Sequence, residues 1–80
     1  MDFTTAVSDA DQRVHYQRSI ESLEEEIRIG CVTQGLDPAT LADPYTAPEN
    51  ADGTVNPALK QIETLQARWN DIKTKLAALG

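Results

Sequence analysis

Eighty residues, 40% hydrophobic and 25% charged, make an ordinary soluble composition, and a chain this short builds one small domain with a limited core. Thirteen acids against seven bases give a formal charge of −6, which argues against a nucleic-acid surface of clustered Lys and Arg. One cysteine and one histidine exclude an intrachain disulfide and a Cys/His zinc site.

The charge is unevenly placed. Residues 1–36 hold seven acids and three bases, residues 37–56 four acids and no base, and residues 57–80 two acids and four bases. An acidic front and a basic tail favour pairing of the two ends.

Residues 1–7, ending Phe3-Thr4-Thr5-Ala6-Val7, mix aromatic and β-branched types without helical period and predict an extended arm, with Phe3 as a candidate partner contact. They lack the basic-then-apolar order of a signal peptide, and no run in the chain approaches the roughly 18 apolar residues of a membrane span. A cytoplasmic or virion-associated location without membrane contact is the expectation.

Ser8-Asp9-Ala10-Asp11 matches a capping pattern, the Ser8 hydroxyl accepting a backbone N–H while the acids favour the positive end of the helix dipole. A first helix is predicted over 8–34, stopped by Gly35 in the left-handed position beyond its end. Tyr16, Ile20, Leu23 and Ile27 fall at spacings of 4, 3 and 4 and form its seam; Val14, Ile29 and Val32 lie off it. The seam then reaches Gly30, which costs a helix roughly 1 kcal/mol relative to Ala. It is either simply tolerated or it admits a bulky neighbour such as Ile62.

Residues 35–56 are a connector longer than antiparallel helices usually need. Asp37-Pro38 predicts one helical turn over Asp37 to Ala42, with Leu36 and Leu41 turned inward, and Asp43-Pro44, Pro48 and Asp52-Gly53 punctuate the remainder as turns.

Asn56-Pro57 repeats the cap-and-proline signal and opens a second helix over 57–79. Val55, Ala58, Ile62, Leu65, Trp69, Ile72, Leu76 and Leu79 alternate gaps of 3 and 4, a heptad seam. Glu24 and Glu26 beside the first seam and Arg68, Lys73 and Lys75 beside the second predict pairing of unlike helices rather than of two second helices. Glu24 with Arg28 and Asp71 with Lys75 add support at i, i+4. The expected fold is all-α, a two-helix antiparallel, coiled-coil-like hairpin in a single domain, with Trp69 in its core.

Candidate chemistry is sparse. Asp9, Asp11 and His15 suit a dipole-favouring first turn better than a metal or acid–base cluster, because no second histidine exists. Asn50, Asp52 and Gly53 echo part of a calcium-binding EF-hand loop, yet Leu59 stands where the bidentate Glu belongs. Cys31 has no neighbouring base to activate it and reads as a packed small apolar residue. No glycine-rich phosphate loop or nucleophile elbow is present. No enzymatic activity, cofactor, metal, nucleic acid or small-molecule substrate is expected.

A lone two-helix hairpin has too little core to be comfortably stable. The off-seam residues Val14, Ile29, Val32 and Leu59, with Phe3 and with Tyr45 in the connector, are therefore candidate contacts to protein partners, either further copies or a larger hetero-assembly. The expected function is that of a structural subunit, of which a minor head, neck or tail component of a tailed bacteriophage is one form. The alternative is a small acidic regulator or inhibitor, of anti-defence or antitoxin type, whose Glu24-Glu25-Glu26 face binds a basic surface.

Overall fold

The computed structural model describes residues 8–79; the arm over 1–7, with Phe3, lies outside the described residues. Helix α1 spans Asp9–Thr33. Ser8 caps it in an extended conformation, its hydroxyl accepting the Asp11 N–H at 3.2 Å. At the other end Gly35 takes φ 74°, Leu36 N–H donates to the Cys31 carbonyl at 2.8 Å, and Gly35 N–H donates to that of Val32 at 3.1 Å. This paired closure satisfies the last carbonyls and requires a residue without a Cβ penalty at position 35.

Helix α2 spans Pro57–Ala78. Asn56 caps it, Oδ1 accepting the Ala58 N–H at 3.0 Å, and Pro57 occupies the first helical position, where a missing N–H costs nothing. Val55 is therefore not part of the helical seam: it forms an isolated antiparallel bridge with Glu49 ahead of the cap.

The two helices run antiparallel. Trp69 meets Glu24, Ile62 meets Gly30, and Asn56 meets Gln34, so positions rising along one helix fall along the other. The fold is an all-α helical hairpin. Its buried apolar residues are Leu23 and Cys31 on α1, Ile62 and Leu65 on α2, and Ala47 from the connector.

The connector is ordered by local bonds and by α2. The Asp37 carboxylate accepts the Ala39 N–H at 2.9 Å and starts the expected helical turn, a single 3-10 turn over Pro38–Thr40. Leu36 and Leu41 flank it, both half-buried. After a cis Asp43–Pro44 peptide, the chain passes along α2 and reverses at Asn50–Thr54. Asn50 N–H donates to the Thr54 carbonyl at 2.7 Å, and the Asp52 carboxylate accepts from both the N–H and the hydroxyl of Thr54, which holds its pKa below the usual value.

Gln66, buried at 6% exposure, fastens this passage: its Nε2 donates to the Ala42 carbonyl, and its Oε1 accepts the Tyr45 N–H. One turn on, Asn70 Nδ2 donates to Asp43 Oδ1 at 2.9 Å. An amide suits this task because it donates and accepts at once, satisfying two backbone groups that the connector cannot pair within itself. One side of the hairpin is thus covered by the connector.

Candidate interaction surfaces

The seam residues show how far the pairing reaches. Leu23, Ile62 and Leu65 are buried, while Tyr16, Ile20, Ile27, Ala58, Trp69, Ile72, Leu76 and Leu79 are half-buried. The distal part of the hairpin, from Tyr16 to Ile20 and from Ile72 to Leu79, has two helices and no connector to cover it. Of the off-seam candidates, Val14, Ile29 and Val32 are 45%, 52% and 61% exposed, whereas Leu59 and Tyr45 are half-buried within the chain itself.

On the connector side an open cleft of about 390 Å³ lies between α1, the 3-10 turn and α2, with Ile27, Leu41 and Trp69 as its apolar walls and Glu24, Arg28 and Asp43 at its rim. Trp69 is half-buried rather than fully enclosed: its Nε1 donates to Glu24 Oε1 at 3.1 Å, and the Lys73 ammonium sits 4.0 Å from its ring centroid. The rim charges are engaged from within. Arg28 pairs with Glu25, lowering the carboxyl pKa through the hydrogen bond and raising that of the guanidinium, and Asp43 accepts from Asn70.

These contacts correct two expectations about charge. Arg28 takes Glu25 at i, i+3 rather than Glu24 at i, i+4, because Glu24 is turned to the indole N–H. Among the described residues the ion pairs lie within single helices, Glu25–Arg28, Lys60–Glu63 and Asp71–Lys75, and none spans α1 and α2. Lys73 spends its charge on the Trp69 face and Lys75 on Asp71, 3.1 Å away, so the opposite signs of the two helices are left largely uncompensated across the hairpin.

On the opposite side lies a groove of about 330 Å³, floored by Gly30, Ala58, Ile62 and Leu65 and edged by Glu26 and Ile29. A shallower depression continues it along α2, sharing Gln61 and Leu65 and ending at Arg68. No connector residue lines either one.

Reactive groups do not gather in either place. Cys31 is fully enclosed, and burial, with the negative charge of Asp37 as a second cause, pushes its thiol pKa up. His15 is exposed beside the Tyr16 ring, 5.9 Å between centroids, and among the described residues no three His, Cys, Asp or Glu side chains converge. Among the described residues no helix is long and apolar enough to cross a membrane.

The structure also brings forward residues the periodicity did not mark. Gln66, which falls beside the heptad seam rather than on it, is buried and accepts the Tyr45 N–H, and Ala47 of the connector is also buried, at 7% exposure. The available signal was chemical rather than periodic: the long connector over residues 35–56 must find partners for its backbone, and Gln66 and Asn70 place two amides one turn apart.

No protein-family model, curated protein or solved structure matches the chain.

Proposed function

We propose that this chain is a non-enzymatic structural subunit, a helical hairpin that docks into a multi-subunit assembly through the side its connector leaves open. The observation that carries this reading is the 52% exposure of Ile29 at the edge of an apolar groove. A minor component of a bacteriophage particle, where neighbours would immobilise a thin hairpin, is one specific form of the proposal.

The competing reading, an acidic regulator, needs Glu24, Glu25 and Glu26 to present one anionic face. Glu24 is held by Trp69 and Glu25 by Arg28, which leaves Glu26 at the edge of the open groove. That division favours assembly.

Sedimentation in native extracts tests it. The wild-type chain is expected to travel at many times its own 8.8 kDa, and an Ile29→Asp variant to keep its helical circular dichroism while returning to low mass. A wild-type chain that sediments alone at native concentration sinks the proposal.

A further inference from the structure

We infer that the open side of the hairpin binds the same side of a second copy, with α1 of each chain lying antiparallel across α2 of the other, so that Glu26 of each copy meets Arg68 of the other. This rests on the docking reading above and names its occupant. The argument for a second copy is charge. The charged residues lining the open side are Glu26 on α1 and Lys60 and Arg68 on α2, while Glu24 lines the cleft on the connector side. Stacking α1 on α1 would oppose like charges, whereas a two-fold axis running along the hairpin places α1 over α2 of the other copy.

That axis also fixes the level at which residues meet. Within one chain Trp69 stands opposite Glu24 and Ile62 opposite Gly30, so Glu26 is level with Gln66 and Ala67. A two-fold along the hairpin preserves level and brings Glu26 to Arg68 of the other copy, a displacement of about 3 Å along the axis at ~1.5 Å per residue. Both residues border the open side, and among the described residues neither forms an ion pair within its own chain. The face is large enough: α2 is ~33 Å long and two helices side by side, each ~10 Å across with side chains, span ~20 Å, which gives a footprint of roughly 600 Å² per copy and roughly 1,200 Å² in total, the scale of a small specific interface.

Equilibrium sedimentation of the purified full-length chain is the test. The wild type is expected to approach twice 8.8 kDa with rising concentration. Glu26→Arg and Arg68→Glu, both at exposed positions, should each keep the helical spectrum and weaken the dimer by about tenfold, because each homodimer then repeats a like-charge contact twice. Mixing the two variants should restore wild-type affinity, since both contacts of the mixed dimer are again opposite in sign. A wild type that remains monomeric, or variants that do not rescue each other, overturns the inference. If the purified chain is monomeric while the native assembly still depends on Ile29, a different partner occupies the groove and the docking reading stands; if that dependence is also absent, both fall.

Discussion

Ile62 packs against Gly30 so closely that a Cβ at residue 30 would lie 3.2 Å from Ile62 Cγ1 and 3.6 Å from Cδ1. Ile62 is 1% exposed, and its β-branched side chain has little rotamer freedom with which to withdraw. The glycine that weakens α1 by propensity is thus the residue that lets the helices approach at their most buried point. Gly30→Ala should change stability by less than about 1 kcal/mol, the gain in helix propensity offsetting a contact that must yield by a few tenths of an ångström. Gly30→Val should destabilise by about 1–3 kcal/mol through overpacking. In an Ile62→Ala background the clash is gone, and Gly30→Ala should become stabilising. Urea unfolding of the parent and these four variants decides this, and additive effects of residues 30 and 62 would refute it.

Gln66→Leu keeps much of the side-chain volume and removes both hydrogen-bonding groups. The Tyr45 N–H and the Ala42 carbonyl then lose the partners they have in a part-buried setting. Each group left unmade costs about 1–3 kcal/mol if it stays dry, so release of the connector to water is the expected relief. Limited proteolysis should cut the substituted chain within residues 41–48 several-fold faster than the parent, at unchanged helix content. Equal cleavage rates would mean that Gln66 does not hold the connector.

The two helices and their ends were legible in the sequence because their causes are local. Ser8, Gly35 and Asn56 act on backbone groups within four residues, and the heptad gaps bring Leu23, Ile62 and Leu65 to the shared face. The connector's path was not legible, because Gln66 looks like any flanking polar residue until Tyr45 and Ala42 reach it from more than twenty positions away. Charge pairing was misjudged for a related reason. An exposed ion pair contributes little, so small advantages decide the rotamer: the indole N–H takes Glu24, and its ring takes Lys73. The open side was legible only in part: Ile29 stood out as an off-seam apolar residue and Arg68 as a charge beside the seam, but only the groove shows that they border the same side.

Trp69 divides its contribution between ring and N–H. Trp69→Phe removes the hydrogen bond to Glu24 and leaves an aromatic face for Lys73, so a loss of no more than about 1 kcal/mol is expected. Trp69→Ala also removes half-buried area that walls the cleft, and a loss of about 2 kcal/mol is expected, below the range for a fully buried aromatic. Chemical denaturation measures both; a Trp69→Ala chain that is wholly unfolded would show that the residue is the hairpin's main anchor.

Cys31 gives the fold a pH response with a definite sign. Its thiol pKa is raised above the ordinary 9.0 by burial first and by the charge of Asp37 second, so the folded state prefers the neutral thiol more strongly than the unfolded chain does. The associated stability is complete below the unfolded value and is lost as pH rises through the higher folded one, because the unfolded chain gives up its proton first. Between about pH 8 and pH 10 the parent chain should therefore lose stability, and Cys31→Ala, stepped down at every pH by a small cavity, should lose less across the same interval. Alkylation should follow suit: at pH 8 the native thiol should react far more slowly than in urea, since the thiolate is the nucleophile and the side chain is enclosed. Parallel pH profiles for the two chains, or prompt labelling of the folded protein, would show that the thiol is reached by solvent and that its burial does not shape the response.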